Sequence, residues 1–186
     1  MGHALHILAI SGSLRVASSN TAVLQAMVAV APADVTISLY DQLADLPYFN
    51  PDLDRETDTP PVSVRELRGR IGHADGILIS SPEYAHGVPG VLKNALDWLV
   101  SSHEFPGKPV ALINISPRSI YVQASLSEIL STMSATLIKD AAFTIPLPRN
   151  RLDVAAMLAD SAIAEALRTA LNTFVHALSI RQSADD

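Results

Sequence analysis

The sequence predicts one α/β domain: a five-stranded parallel sheet in the order 2-1-3-4-5, covered by helices on both faces. Two observations carry this. Short apolar runs alternate five times with segments of helical period, the pattern of repeated strand–helix units. The runs are nearly continuous in apolar residues, as in "LHILAI" (Leu5–Ile10), which suits strands buried on both faces of a parallel sheet. With 186 residues and 48% hydrophobic content, the chain fills one core, and residues 1–186 read as a single domain.

Strand one is Leu5 to Ile10. From Asn20 the pattern turns helical, with Leu24, Met27, Val28 and Ala31 on one face, and Pro32 stops it. Val35 to Leu39 is strand two. Residues 40–60, rich in Pro, Asp and Asn, read as a long surface loop. Pro60 and Pro61 suit the first turn of the next helix, whose inner face is Val64, Leu67 and Ile71. Gly76 to Ser81 is strand three. A helix starts near Val88 with Val91, Leu92, Ala95, Leu96 and Leu99 as its stripe. Val110 to Ile115 is strand four. Ile120 to Met133 is a helix with Val122, Leu126, Ile129, Leu130 and Met133 inside, and Thr136 to Ile145 contains strand five. Ser161 to Leu178 is the last helix, with Ile163, Leu167, Leu171, Phe174 and Leu178 facing in. The tail "RQSADD" reads as frayed.

The formal charge of −6 gives no footprint for nucleic acid, and the basic cluster "RELRGR" (65–70) reads as a solvated helix face. There are no cysteines, which removes disulfides and thiol catalysis. No apolar run approaches the ~20 residues that span a bilayer, and no signal peptide is read. A cytoplasmic protein without a membrane partner is expected. His3, His6, His73, His86, His103 and His176 fall on separate elements, so no metal site is expected.

Two loops stand out, and in this strand order they flank the crevice where strand order reverses. "SGSLRVASSN" (Ser11–Asn20) joins strand one to its helix. A helix N-terminus offers unpaired N–H groups and favours an anion. Ser11, Ser13, Ser18, Ser19 and Asn20 add neutral donors, and Arg15 adds a charged fork. Only Gly12 stands where a dinucleotide-binding turn needs three glycines, so a terminal phosphate fits better than a pyrophosphate. The plainer reading is helix capping by Ser19 or Asn20. The second loop opens "SPEYAHGVPGVLKNALDWL" (81–99). Pro82 and Pro89 stiffen it, and Gly87 and Gly90 permit close approach or positive φ. A stiff backbone there suits the polar edge of a flat heterocycle, with Tyr84 packed beside it. Glu83 and His86 also read as plain solvated residues, Lys93 and Asp97 as a weak surface pair, and Trp98 as core or subunit interface.

Together these stretches resemble the NAD(P)H-dependent FMN reductase family, which includes quinone, chromate and azo reductases. The family's patterns G-S-L-R-x-x-S-x-N and P-E-Y-x-x-x-x-P-G-x-L-K-N-A-x-D-W are both complete, about sixty residues apart, each at a strand-to-helix junction. "LADLPYFNPDL" and "FPGKPVALI" extend the likeness over roughly residues 5–145. The resemblance implies a three-layer flavodoxin-like fold and FMN bound non-covalently. Ser11, Ser13, Arg15, Ser18 and Asn20 then hold its phosphate. Pro82, Glu83, Tyr84 and Gly87 line its ring system, mainly through backbone groups, and Ser116 reaches it from strand four. NADPH or NADH is the implied co-substrate, and the acceptor is a flavin, quinone, azo compound or chromate. No catalytic side chain is required, because the redox chemistry belongs to FMN. A homodimer or homotetramer is implied, with Lys93, Asn94, Asp97 and Trp98 near the interface. The chain departs from the family in one place: it has no glycine after Gly107, so "SPRSI" forms a stiff, charged rim after strand four. An FMN-binding electron carrier and a flavin-binding regulator without NAD(P)H turnover stay open at this point.

Overall fold

The computed structural model describes residues 4–55, 59–145 and 153–185. Its strands are β1 (Leu5–Ser11), β2 (Val35–Tyr40), β3 (Gly76–Ser80), β4 (Pro109–Asn114), β5 (Thr136–Leu137) and β6 (Phe143–Thr144). The helices are α1 (Ser19–Ala29), α2 (Val62–His73), α3 (Gly90–Asp97), α4 (Ile120–Thr132), α5 (Val154–Ala159) and α6 (Ser161–Asp185). All strand pairs are parallel, in the order β2-β1-β3-β4-β5. His3, residues 56–58 of the long loop and Asp186 of the tail lie outside the described residues.

Alternate residues of each strand feed two separate cores. Leu8, Ile10, Ile77 and Ile79 pack under α2, α3 and α4. Ile7, Ala9, Leu78 and Ile113 pack under α1 and α6 with Met27, Leu167 and Phe174. Burial on both faces is why these strands read as continuous apolar runs rather than alternating ones.

The fifth strand is broken. β5 pairs with Pro109 and Val110, a 3₁₀ turn at Lys139–Ala141 intervenes, and β6 then pairs with Ile113 and Asn114. Ala141, between these pieces, and Ile145, just after β6, turn into the α6-side core. The α1 face also differs from expectation: Val23 and Ala26 are buried, while Val28 faces out and Ala31 is only partly covered. α1 packs against α5 as well as the sheet, which turns a different stripe inward. Pro61 is the N-cap of α2 rather than a residue of its first turn. The C-terminal helix continues through Asp185, so the expected frayed tail is helical up to there.

The segment after β2 is not a plain surface loop. Leu43 and Leu46 are buried, and Pro47 O accepts hydrogen bonds from Asn94 Nδ2 at 2.9 Å and Trp98 Nε1 at 2.8 Å. Asn94 Oδ1 accepts from Phe49 N at 2.8 Å, and Phe49 meets the Trp98 ring edge-on at 5.1 Å. Arg68 is likewise not a solvated charge. It pairs with Asp54 at 2.9 Å and donates to the Trp98 carbonyl. Trp98 is fully buried, which corrects the expectation of a Trp at a subunit contact: its indole N–H is used within the chain.

Tyr40, at the end of β2, is 3% exposed, and its hydroxyl has no partner among the described residues. Burial, helped by Asp41, Asp45 and Glu66, pushes its pKa up from 10.0 to about 12, against the pull of Arg70. The folded value lies above the unfolded one, so the associated stability is complete below pH 10.0 and is lost as pH rises towards about 12. Tyr40→Phe is expected to stabilise the protein at neutral pH by ~1 kcal/mol, since it removes an unpaired buried hydroxyl. It should also flatten the alkaline loss of stability, as read from urea unfolding at pH 7, 10 and 11.

Candidate functional site

The three loops that leave the carboxyl ends of β1, β3 and β4 lie side by side, because those strands are neighbours in the sheet. The first is pinned to the second at its root. Gly12 N donates to Ser80 O at 2.8 Å. A Cβ on Gly12 would stand 2.7 Å from Ser81 Oγ and 3.0 Å from Leu92 Cδ2, so any larger residue forces these buried side chains to shift. Asn20, buried in α1, accepts from Ser80 Oγ through Oδ1 at 2.9 Å and ties the helix to the same point.

Between these ties the loop is a nest of hydroxyls. Ser11 Oγ and Thr21 Oγ1 share a hydrogen bond at 2.8 Å. Ser13 N reaches Ser11 Oγ at 3.4 Å, and Arg15 N reaches Ser13 Oγ at 3.3 Å, both long. The N-cap of α1 is Ser18, not Ser19 or Asn20; its Oγ accepts from Thr21 N at 3.3 Å. The amides of Ser19 and Asn20 come too early in the helix to have intrahelical acceptors. Arg15 is exposed, and its guanidinium makes no hydrogen bond or ion pair among the described residues. A cavity of about 340 Å³ flanks the loop, bordered by Ser11, Ser13, Arg15, Thr21 and, across from them, Tyr40 and Asp41. Weakly engaged hydroxyls, open helix-start amides and a free guanidinium fit a phosphate monoester.

The loop after β3 is held more tightly. Tyr84 and Gly87 exchange two backbone hydrogen bonds, 3.2 and 3.0 Å, around Ala85 (φ 48°) and His86 (φ 57°). This is a two-residue turn with both central residues in the left-handed region, usually the place of Asn-Gly or Gly-Gly. The positive φ thus falls on Ala85 and His86, correcting its expected place at Gly87 or Gly90. Glu83 is not a plain solvated residue: its Oε2 accepts from Tyr121 N at 2.9 Å and Val122 N at 3.0 Å, at the start of α4. His86 stacks on Tyr121, ring centroids 4.1 Å apart and planes within 18°. Pro82 is partly buried, and the Tyr84 side chain is exposed.

The loop after β4 is braced by buried Asn114. Its Oδ1 accepts from Ser116 N at 3.1 Å, and Ser116 Oγ accepts from Arg118 N at 3.3 Å. Ser116 is partly covered and Arg118 exposed. Of the residues read from the sequence, Ser11, Ser13, Arg15, Ser18 and Asn20 therefore share one loop and helix start. Pro82, Glu83, Tyr84 and Gly87 share the next, and Ser116 borders the third. Lys93 and Asp97 do pair, at 2.5 Å on a half-open surface, which contributes little. Ser80, Asn114 and Tyr121 escaped the sequence reading, and Asn94, expected near a subunit interface, instead bonds Pro47 and Phe49; all four bind partners at least thirty positions away. No group of His, Asp or Glu among the described residues is arranged to hold a metal. No helix there is long and apolar enough to cross a membrane. The displaced ionisable groups outside the core, Lys108 and Glu104, border a groove at the opposite end of the sheet. Burial pushes Lys108 down. Burial pushes Glu104 up, but hydrogen bonds from Ser102 and its own backbone, with the pull of Arg68, hold it below its usual value.

The family model described as NADPH-dependent FMN reductase matches residues 5–148. A quinone reductase of Escherichia coli (strain K12) is 34% identical over 159 residues, spanning 82% of this chain and 84% of that protein. A 2-hydroxy-1,4-benzoquinone reductase of a Burkholderia species is 33% identical over 178 residues, 92% of this chain and 93% of the relative. Among solved structures, the flavoenzyme NAD(P)H:(acceptor) oxidoreductase FerB of Paracoccus denitrificans superposes with a TM-score of 0.76 at 28% identity, covering 94% of this chain and 97% of its own.

Gly12 is the point where the loops after β1 and β3 meet. Gly12→Ala is expected to drive Ser81 and Leu92 apart and cost ~1–3 kcal/mol of stability. Gly87→Ala, whose Cβ would meet only Tyr84 O at 3.7 Å, should leave folding stability nearly unchanged. Thermal or urea unfolding of the two variants checks the contrast, and equal losses would contradict it.

Proposed function

The chain belongs to the NADPH-dependent FMN reductase family, and on that premise we propose how its own residues serve the reaction. The protein is an FMN-dependent NAD(P)H oxidoreductase with the flavodoxin-like arrangement of its relatives. When bound, FMN supplies the redox chemistry, taking hydride from NAD(P)H and returning electrons to a small acceptor. The chain supplies binding and orientation.

In this reading Ser11, Ser13, Arg15, Ser18 and Asn20 hold the phosphate. Ser11, Ser13 and Ser18 donate their hydroxyl hydrogens; Asn20 offers its backbone amide and the Nδ2 of a side chain whose Oδ1 is engaged by Ser80. Arg15 contributes the full positive charge. Pro82, Glu83, Tyr84 and Gly87 line the ring system with backbone groups, and Ser116 borders it from the β4 side. The observation that carries the reading is the loop of open donors at the α1 N-terminus, pinned by Gly12 beside a stiff second loop at the point where strand order reverses. A quinone is the acceptor this reading favours. The rim Ser116–Ile120 carries Pro117 and no glycine, which narrows the opening towards flat molecules, and two of the relatives are named for quinone reduction.

Addition of NADPH or NADH to the anaerobic, FMN-loaded protein should bleach the flavin spectrum, and a quinone should restore it. Flavin that binds but stays oxidised would point instead to an electron carrier or regulator. FMN should bind at one per chain and riboflavin far more weakly. Arg15→Ala should weaken FMN by ~1.5–3 kcal/mol and leave riboflavin unchanged, as calorimetry would read.

The protein is further proposed to act in the cytoplasm as a homodimer or homotetramer. Trp98 no longer supports an interface. The support is instead a ring of exposed apolar side chains around the site's end of the sheet: Leu14, Val16, Tyr48, Tyr84, Ile120 and Tyr121. Light scattering at micromolar concentration should give a mass of at least two chains; a monomer mass would contradict it.

A further inference from the structure

We propose that Glu83 is a positioning residue for the flavin: its carboxylate latches the β3 loop to α4 and so keeps the strained Tyr84–Gly87 turn in its ligand-ready shape. The proposal rests on the flavin-binding reading above.

α4 has no cap of its own. Ser119 stands at the N-cap position but makes no side-chain capping bond. Two of the helix's first amides, Tyr121 N and Val122 N, are taken by a single oxygen of Glu83, at 2.9 and 3.0 Å. Glu83 lies 38 positions before Tyr121, on the neighbouring strand's loop, so this cap is a tie between two loops as well as a helix terminus. A carboxylate suits the place, because its charge meets the positive end of the helix and the bonds are charge-assisted.

The same two elements carry a second tie, the stack of His86 on Tyr121. Between the ties lies the turn at Ala85 and His86, where two residues with side chains hold positive φ. Such a turn persists only when its surroundings over-determine it. Its surroundings are its own pair of backbone bonds, the Glu83 latch and the His86–Tyr121 stack. Loss of the latch lets the turn relax. A ligand's apparent affinity falls by the fraction of molecules that keep the competent shape.

The test compares Glu83→Ala, Glu83→Gln and the double variant Glu83→Ala with Ala85→Gly. Three readouts are used: hydrogen exchange of the FMN-free protein, and dissociation constants for FMN and riboflavin by fluorescence. Glu83→Ala should raise exchange at Tyr121 and Val122 about tenfold while the sheet amides stay protected. It should weaken FMN and riboflavin by a similar factor, about tenfold, because the latch acts on the ring loop and not on the phosphate loop. That common loss separates it from Arg15→Ala, which acts on FMN alone. Glu83→Gln keeps an acceptor oxygen and should fall between wild type and Glu83→Ala. Ala85→Gly in the Glu83→Ala background should recover much of the flavin affinity without restoring slow exchange, since glycine holds positive φ unaided. Unchanged exchange at Tyr121 and Val122 overturns the latch. Faster exchange with unaltered flavin affinity reduces Glu83 to a helix cap and overturns its positioning role. Wild-type protein that binds no FMN overturns the functional reading itself, while its exchange pattern still reports the latch.

Discussion

The hydrogen bond from Gly12 N to Ser80 O is the contact on which the rest of the site depends. It carries the β1–β3 ladder one residue past the end of β1 and brings two loop roots to van der Waals distance. A side chain at position 12 would hold them apart. Once they touch, Asn20 engages Ser80 from α1, and the axis of that helix is fixed relative to β3. The loop after β1 therefore inherits its geometry from the sheet. Its own internal bonds are long, and two of its apolar side chains, Leu14 and Val16, are exposed. Such a loop keeps its donors uncommitted because the strands beneath it do the ordering.

The second loop follows the opposite strategy. It is short of uncommitted groups and rich in constraints: prolines, a two-residue turn at positive φ, a carboxylate bound to α4 and a stacked aromatic pair. The contrast matches the tasks proposed for the two loops. A phosphate is recognised by charge and by donors that turn toward it. A flat ring is recognised by backbone groups that must already be in place, and ordering them at the moment of binding would weaken affinity. The two loops share the β1–β3 junction, so displacement of one carries to the other.

Behind the site, α3 works as a clamp. Asn94 and Trp98, seven and eleven residues past Gly87, spend their polar groups on Pro47 and Phe49. Arg68 adds Asp54 and the Trp98 carbonyl. Residues 41–55 after β2, free of regular strand or long helix, are thereby held against the α2–α3 layer. The second sequence pattern is thus two devices in one run: the residues up to Gly87 build the turn after β3, and those from Asn94 to Trp98 hold a distant segment.

The sequence by itself determined the parallel α/β architecture, the strand order and most of the helix cores, and it singled out the two loops of the candidate site. These are legible because they rest on local composition: apolar runs for doubly covered strands, helical period for one-sided burial, and hydroxyl or proline density at strand ends. The family likeness rested on the same local runs. Tertiary structure alone decided what the polar side chains do. Glu83 reads as solvated or ring-lining until α4 is placed beside it, and Trp98 reads as core or interface until Pro47 is brought under its indole N–H and decides for the core. The positive φ at Ala85 and His86 is invisible too, because neither residue prefers it and the contacts around the turn, its paired backbone bonds and the His86–Tyr121 stack, appear only in three dimensions. The break between β5 and β6 has the same origin, since Ala141 and Ile145 are drawn into a core assembled largely by α1 and α6. In each case the deciding partner is far away along the chain, and a hydrogen bond or a buried methyl is specified by where that partner lies in space, which no local pattern encodes.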